Sequence, residues 1–318
     1  MTNQQTARNL LEADHISVRF GSRRHPFEAV HNVSFSIREG ETFGLVGESG
    51  SGKTTIGRSI IRINPISGGK IRFDGRRISG KLSRAEDQQV TRDIQMIFQD
   101  PMSSLNERAK VGYIVAEGLY SPGHKLTEAQ RQEKVAQALE DVGLLPEFAS
   151  RFPHEFSGGQ RQRIGIARAL VMDPRFIVAD EPISALDVSI RAQVLNLLSH
   201  LQKERNLTYL FIAHDLSVVR FICDRIAVIH RGEIVELAES EELFRHPLHP
   251  YTRALLSAIP QPDPIAEKRK QLITYDASMH DYETDRPAWT EILPGHHILA
   301  NGQELAQYRS ILDSEEAS

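Results

Sequence analysis

The alternation of apolar and polar positions predicts β-strands in the first part of the chain. Apolar residues alternate with polar ones over residues 11–20 and 29–37, and a third such run covers residues 70–73 after the turn residues Gly68 and Gly69. A period of two is typical of strands that bury one face. The three runs therefore predict an antiparallel layer.

The pattern then changes to strands that alternate with helices. Residues 42–46 form an apolar run, and the helical pattern after it carries a row of isoleucines on one face, at Ile56, Ile60 and Ile63. Two later apolar runs, residues 176–179 and 209–213, are separated by another helical pattern. This order is typical of a parallel sheet covered by helices, so the predicted core is α/β.

A helical insertion is predicted between the two halves of this core. The strand pattern fades between Gln99 and Ile164, and Thr127 and Gln130 have the spacing of a capping box that opens a helix. We expect a helical subdomain over about residues 100–165, inside a main domain of residues 1–250 that ends after a hairpin over residues 225–236.

A C-terminal extension of residues 251–318 is expected beyond this domain. A proline-rich run begins at Pro260 and breaks regular structure. Further along, His296 and His297 lack other spaced ligands, so they are weak evidence for a metal site. We expect the extension to form a packed regulatory cap or a docking arm.

Composition limits the class of protein. The chain has 318 residues, 40% of them apolar, and its net charge of −4 gives no global basic surface for nucleic acid. No apolar run reaches the roughly 18 residues of a spanning helix, and the N-terminus lacks a secretory pattern, so a cytoplasmic protein is expected. The single cysteine, Cys223, is expected to be a buried thiol, since alone it cannot form a disulfide or hold a metal cluster.

One motif predicts specific chemistry. Residues 47–54 read Gly-Glu-Ser-Gly-Ser-Gly-Lys-Thr, which fits the phosphate-loop pattern GxxxxGK[ST] between a predicted strand and a predicted helix. The N–H groups of such a loop point inward at a helix start, where phosphates bind. Lys53 is expected to contact the β and γ phosphates of ATP, and Thr54 to give Mg²⁺ an oxygen ligand.

A glycine-rich turn without function is the weaker alternative for this motif. The nucleotide contacts expected from it are Gly47, Glu48, Ser49, Gly50, Ser51, Gly52, Lys53, Thr54 and Thr55.

A second part of the predicted site lies at the ends of later strands. An apolar strand ends in Asp180 and is followed by Glu181, and His214 ends the next predicted strand. Ligands of parallel sheets bind beyond the carboxyl ends of the strands. We expect Asp180 to hold Mg²⁺ through water, Glu181 to polarise the attacking water, and His214 to reach this water or the γ-phosphate. Acids on a surface turn and a structural histidine are the alternatives.

Residues 156–160, Phe-Ser-Gly-Gly-Gln, resemble the signature of ABC ATPases, with Phe156 in place of the usual leucine. In that family Gln99 resembles the Q-loop glutamine, a catalytic residue and Mg²⁺ ligand. Asp187 lies in a segment similar to the D-loop, and His214 resembles the switch histidine. Phe20 stands where an aromatic residue stacks on adenine, although a core position is an equally good interpretation.

The resemblance also implies a fold and a dimer. The implied fold is a P-loop NTPase with a RecA-like parallel sheet core, an antiparallel β subdomain, an inserted helical subdomain and a small C-terminal extension. The signature helix start is a second anion cradle, away from this chain's own phosphate loop. The resemblance implies contacts to ATP held by the opposing subunit from Ser157, Gly158, Gly159 and Gln160.

The segment His-Pro-Tyr-Thr-Arg at residues 249–253 narrows the resemblance to peptide and nickel importer ATPases, most closely the F-type subunit of oligopeptide permeases of the Opp/Ami kind. This implies a peripheral bacterial ATPase at the cytoplasmic face of the plasma membrane. Its implied partners are a D-type ATPase in a heterodimer, two integral membrane permease subunits and, indirectly, an extracellular peptide-binding protein. Many relatives carry a cysteine cluster after this segment; this chain has none there, so no iron–sulfur cluster is expected.

The sequence bears on three other functions. A non-transport ABC ATPase of DNA repair or ribosomes is disfavoured, because the chain shows neither a long coiled coil nor a second ATPase half. A soluble accessory ATPase, like those of phosphonate metabolism, is harder to dismiss. A transporter of nickel, glutathione or another solute would differ only in cargo, which this subunit does not touch.

Overall fold

Two β-sheets organise the chain in the computed structural model, which describes residues 8–22, 25–100, 104–121, 125–260 and 270–316. In chain order the strands are β1 (Asn9–Ser22), β2 (His25–Arg38), β3 (Thr42–Val46), β4 (Gly68–Phe73), β5 (Arg76–Arg77), β6 (Ile94–Ile97), β7 (Phe176–Asp180), β8 (Thr208–Ala213), β9 (Arg225–His230), β10 (Glu233–Glu239), β11 (Ala288–Leu293) and β12 (His296–Ala300).

The α-helices lie between and after these strands. They are α1 (Lys53–Ile60), α2 (Arg84–Asp93), α3 (Val111–Ala116), α4 (Glu128–Asp141), α5 (Gly158–Leu170), α6 (Val188–Arg205), α7 (Leu216–Ile222), α8 (Ser240–Arg245), α9 (Pro250–Ser257) and α10 (Gly302–Glu316).

The smaller sheet is the predicted antiparallel layer, in the order β2-β1-β4-β5. The alternation along β1 buries Ile16 and Val18, and β2 adds Val30, while their polar neighbours point outward. These side chains share one apolar core with Ile56 and Ile60 of α1. The layer therefore packs over the helix that follows the phosphate loop.

The larger sheet has the order β11-β12-β10-β9-β3-β8-β7-β6. Strands β9, β3, β8, β7 and β6 run parallel to one another, which confirms the predicted α/β core, and β10 is antiparallel to β9 in the predicted hairpin. The parallel order brings the carboxyl ends of β3, β7 and β8 to the same edge.

Helix α1 ends earlier than the spacing of the three isoleucines predicts. Ile56 and Ile60 are fully buried, but the helix ends at Ile60 and Ile63 is 58% exposed. Arg62 has a φ of +66°, a left-handed conformation that turns the chain away from the helix. The prediction that Ile63 shares the buried face was therefore wrong.

Helices α3, α4 and α5 pack together in the predicted helical insertion. The capping box at its second helix is confirmed: the Gln130 N–H donates to Thr127 Oγ1 at 3.3 Å, and the Thr127 N–H donates to Gln130 Oε1 at 2.9 Å. Leu139 of α4 and Ile164 of α5 are fully buried in the shared core. Helix α5 runs on to Leu170, a few residues past the predicted end of the insertion.

The C-terminal extension packs on the main domain of its own chain. Strand β12 pairs with β10, with Glu236 opposite Ile298, and β11 pairs with β12, so both extend the larger sheet. Tyr308 of α10 and Leu248 are buried in a small core beside them. The rest of the proline-rich run that begins at Pro260 lies outside the described residues.

Two expectations from composition can be compared with this fold. Cys223 is buried, as expected, and burial raises the pKa of its thiol. Within the part of the chain that the structure describes, no helix has the length and apolar character needed to span a membrane.

Candidate nucleotide site

The phosphate loop connects β3 to α1 over residues 47–52, as the motif predicts. Two of its glycines are required by the backbone. A Cβ atom at Gly47 would lie 2.1 Å from the carbonyl oxygen of Ile229. Gly52 has a φ of +105°, and a Cβ atom there would lie 2.6 Å from the carbonyl oxygen of Ala29. The neighbouring strands β9 and β2 thus force a tight loop at this edge.

Lys53 begins α1 and folds back over the loop. Its ammonium is buried and donates to the carbonyl oxygens of Gly47 and Glu48, both at 2.7 Å. Burial lowers the pKa of Lys53, and the negative charges of Glu181 and Asp180 oppose this shift. A buried ammonium at the N-terminus of a helix is an arrangement that favours an anion such as phosphate.

Thr54 and Asp180 place two oxygen atoms of the kind that bind metal ions next to each other. The Thr54 hydroxyl donates to Asp180 Oδ1 at 2.9 Å, and Asp180 is 2% exposed at the end of β7. Burial raises the pKa of Asp180, and the hydrogen bond from Thr54 opposes this shift. A hydroxyl beside a carboxylate is a donor set that suits Mg²⁺, which takes one or two protein oxygens plus water and phosphate. No group of three or more metal-ligating side chains occurs among the described residues.

The three predicted catalytic residues lie together, because Gln99 and His214 both contact Glu181. Its Oε2 accepts a hydrogen bond from Gln99 Nε2 at 2.8 Å, and the same oxygen lies 3.2 Å from His214 Nδ1. Glu181 has a φ of +45°, and its N–H donates to the carbonyl oxygen of Ile212 at 3.0 Å. A strained conformation of this kind is costly, so it indicates a constraint on where the carboxylate points.

The predicted signature forms the start of α5. Ser157 Oγ accepts from the Gln160 N–H at 3.3 Å, and Gln160 Oε1 accepts from the Ser157 N–H at 3.0 Å. A Cβ atom at Gly158 would meet nothing within 4 Å, whereas one at Gly159 would lie 2.6 Å from Ile190 Cγ2. Gly158 is exposed, and no hydrogen bond among the described residues joins this helix start to the phosphate loop.

Two further predicted residues lie on the surface. Asp187 is exposed at the start of α6, where its carbonyl oxygen accepts from the Arg191 N–H at 2.8 Å. Phe20 is 40% exposed and pairs with Phe27 across the β1–β2 hairpin. The alternative interpretation of Phe20 as a core residue was therefore wrong, and its stacking on adenine stays a prediction.

Tyr251 contacts the phosphate loop, which the sequence did not predict. Its hydroxyl oxygen accepts a hydrogen bond from the Glu48 N–H at 3.0 Å, although the two residues are 203 positions apart. In the sequence, the His-Pro-Tyr-Thr segment indicates only a resemblance to a family. No local pattern could have revealed the contact, because it depends on how α9 packs beside the loop.

Comparisons with known proteins identify the family. Residues 30–184 match the family described as "ABC transporter", and residues 235–284 match "Oligopeptide/dipeptide transporter, C-terminal region". The chain is 63% identical to the oligopeptide transport ATP-binding protein AmiF of Streptococcus pneumoniae, over 96% of this chain and 99% of the relative. It is 53% identical to OppF of Bacillus subtilis, over 94% and 98% respectively.

Solved structures of ABC ATPases share the fold. The structure of cbiO1 from Clostridium perfringens, part of the ABC transporter complex cbiONQ, has a TM-score of 0.66 at 28% identity and covers 75% of this chain and 92% of its own. The dimeric cassette MJ0796 bound to ADP and phosphate has a TM-score of 0.64 at 29% identity, covering 72% and 98%. The chain has the fold of these structures, a phosphate loop, and a sequence similar to those of the relatives over nearly its full length. It therefore belongs to the ABC transporter family, as one of its ATP-binding proteins.

Proposed function

We propose that this chain hydrolyses ATP to drive the import of oligopeptides. The observation that carries the proposal is the convergence of Gln99 and His214 on one oxygen of Glu181. The peptide cargo is supported by the relatives, which are oligopeptide transport ATP-binding proteins in Streptococcus pneumoniae and Bacillus subtilis and a dipeptide transport ATP-binding protein in Lactococcus lactis.

The phosphate loop and Lys53 would bind the phosphates of ATP. The buried ammonium and the N-terminus of α1 supply positive potential where the β and γ phosphates would lie. Thr54 and Asp180 would hold Mg²⁺ by their adjacent oxygens, with Asp180 acting through water. Bound Mg²⁺ would neutralise developing charge on the phosphates.

Glu181 would act as the general base. Its carboxylate can accept the proton of the attacking water, and the contacts from Gln99 and His214 hold it in one orientation. Gln99 reaches Glu181 through its amide nitrogen, which leaves the amide oxygen as the atom that could contact Mg²⁺. His214 would sense the γ-phosphate beside this carboxylate.

The signature would act on the ATP of a second subunit. Ser157 and Gly158 are exposed at a helix start, which is a site for an anion supplied from outside the chain. The open space around Gly158 is consistent with close approach of a partner. The F-type resemblance favours a D-type ATPase as that partner, and Asp187 on the exposed start of α6 would lie in the same interface.

A groove beside the helical insertion would bind the membrane subunits. It has a volume of about 560 Å³. Its lining comes from the end of α1, from α2, from β6 and the residues after it, and from the insertion, and includes Ile61, Val90, Met96, Phe98, Arg168 and Met172. Its apolar lining residues would contact short helices from two permease subunits, at the cytoplasmic face of the plasma membrane. Peptide would reach those permeases from an external binding protein.

Uptake in a deletion strain tests this proposal. A strain that lacks this chain should lose uptake of a labelled oligopeptide and keep uptake of a free amino acid. The wild-type chain should restore peptide uptake, whereas Glu181→Gln should not. Mild detergent extraction should then recover the chain with two integral membrane proteins and a second ATPase. Normal peptide uptake in the deletion strain, or recovery of the chain without membrane proteins, would contradict the proposal.

Ser157→Arg tests the contribution of the signature to the opposing site. We expect this variant to bind ATP normally as an isolated chain but to slow hydrolysis at the partner's site in the assembled transporter. A variant that altered only ATP binding by the isolated chain would show that the signature acts within its own subunit.

A further inference from the structure

One peptide group of the phosphate loop is held at both ends by side chains. The carbonyl oxygen of Gly47 accepts a hydrogen bond from Lys53 Nζ at 2.7 Å. The Glu48 N–H, which belongs to the same peptide group, donates to the hydroxyl oxygen of Tyr251 at 3.0 Å. The C=O and N–H of a trans peptide point in opposite directions. Lys53 and Tyr251 therefore fix the orientation of this peptide from opposite sides.

Tyr251 is itself held in one position. It is 1% exposed at the start of α9, and its backbone N–H donates to His249 Nδ1 at 3.1 Å. Its ring lies against His230 and Tyr275, with ring centroids 4.2 and 5.3 Å away. Because the ring is enclosed by other rings, its hydroxyl is a preorganised acceptor for the loop.

The start of α9 is tied in turn to the C-terminal hairpin, which β11 and β12 form. Glu236 of β10 is fully buried and accepts hydrogen bonds from the backbone N–H groups of Leu248, at 2.8 Å, and His249, at 3.1 Å. The same side chain contacts His296 Nε2 of β12 at 2.9 Å. A continuous set of contacts thus runs from the hairpin through Glu236 and α9 to Tyr251 and the phosphate loop.

We propose that Tyr251 is a positioning residue for ATP binding, through which the C-terminal segment sets the geometry of the phosphate loop. The inference rests on the proposed function, because it assumes that this loop binds phosphate. Tyr251 acts through the Glu48 N–H and does not touch the nucleotide. Without this hydroxyl the Glu48 N–H loses its acceptor, and the peptide is then held by Lys53 alone and is less firmly oriented.

The test is Tyr251→Phe in the full chain, which keeps the ring and removes only the hydroxyl. Titration with Mg-ATP should give a dissociation constant about three- to tenfold higher than that of wild type. In the assembled transporter KM for ATP should rise by a similar factor, while kcat stays within about twofold, because Gln99, Glu181 and His214 are unchanged. A merely structural role would lower the Tm of the nucleotide-free chain without separating KM from kcat.

Tyr209→Phe is the matched control. Tyr209 is also 1% exposed, but its hydroxyl has no hydrogen-bond partner within the described part of the chain. We expect this variant to bind ATP as wild type does. If Tyr251→Phe gives the same dissociation constant as Tyr209→Phe, or lowers kcat at an unchanged KM, the positioning role is wrong.

Lys53→Ala separates this inference from the proposed function. It removes the ammonium that the proposed function assigns to the phosphates, so it should weaken ATP binding far more than Tyr251→Phe. If Lys53→Ala binds ATP as wild type does, the proposed phosphate site is wrong. If Lys53→Ala loses binding while Tyr251→Phe matches its control, only the role of Tyr251 is wrong.

Discussion

The hydroxyl of Thr54 lies 2.9 Å from Asp180 Oδ1 and donates a hydrogen bond to it. This bond joins the helix after the phosphate loop to the carboxyl end of β7, 126 positions later in the chain. Asp180 is buried, and burial raises the pKa of its carboxyl against the effect of this hydrogen bond. The hydrogen bond holds two of the side-chain oxygens proposed to bind Mg²⁺, those of Thr54 and Asp180, next to each other.

Replacing the Thr54 hydroxyl should weaken the use of Mg²⁺. Thr54→Val keeps the shape of the side chain but removes the oxygen. We expect the Mg²⁺ concentration for half-maximal ATP hydrolysis to rise on the order of tenfold. Thr54→Ser keeps the oxygen and should behave like wild type. Identical Mg²⁺ dependence of the two variants would show that the hydroxyl is not a ligand.

Glu181→Gln should separate ATP binding from hydrolysis. The amide keeps the size of the side chain but cannot accept a proton from water. We expect ATP to bind with unchanged affinity, while the hydrolysis rate of the assembled transporter falls roughly 10²- to 10⁴-fold. The ATP-bound dimer should also persist, which size-exclusion chromatography with ATP would detect.

Glu133→Gln is the control for this charge change. Glu133 is exposed on α4, in the helical insertion. Its variant should hydrolyse ATP at the wild-type rate. If Glu181→Gln turned over ATP as fast as Glu133→Gln, the assignment of Glu181 as general base would be refuted.

The two glycines of the signature should respond differently to a methyl group. At Gly158 the added Cβ meets no atom of the chain within 4 Å, so Gly158→Ala should leave thermal unfolding unchanged. At Gly159 it would lie 2.6 Å from Ile190 Cγ2, so Gly159→Ala should cost about 1–3 kcal/mol of stability through overpacking.

The rate of ATP hydrolysis tests the proposed role of Gly158. Gly158→Ala should slow hydrolysis in the assembled dimer, because the methyl group occupies the surface proposed to approach the partner's ATP. Normal hydrolysis by a stable Gly158→Ala variant would argue against that surface. Equal loss of stability in both variants would contradict the packing described around α5.

The buried contact between His296 and Glu236 should make stability depend on pH. Burial lowers the pKa of His296, but hydrogen bonds and negative charge from Glu236 and Glu242 outweigh burial, so the pKa is raised overall. A raised pKa in the folded state means that the stabilisation is fully present below the unfolded pKa of about 6.5 and is lost as pH rises through the folded pKa.

Denaturant unfolding of wild type and His296→Gln measures this effect. The stability advantage of wild type should be largest below about pH 6.5 and should shrink toward higher pH. His200→Gln is the control, because His200 is exposed and its contact with Glu204 lies on the surface of α6. An advantage for wild type that grows with pH would mean that the pKa of His296 is lowered instead.

The local features of this protein could be predicted from its amino-acid sequence. The period-two runs predicted the antiparallel layer, and the motif at residues 47–54 predicted a loop between a strand and a helix, where the structure has it. The capping box at Thr127 was equally readable. Such features depend on residues a few positions apart, whose faces and hydrogen bonds follow from strand and helix geometry.

Contacts between residues far apart in the chain could not be predicted in this way, because they depend on strand order and packing. Gln99 reaches Glu181 because β6 lies beside β7 in the sheet, and His214 reaches it from the end of β8. The contact of Tyr251 with Glu48, and the addition of β12 to the main sheet, depend on how the C-terminal segment packs. A local pattern sets the face on which a side chain lies, but long-range strand order and packing set its partner.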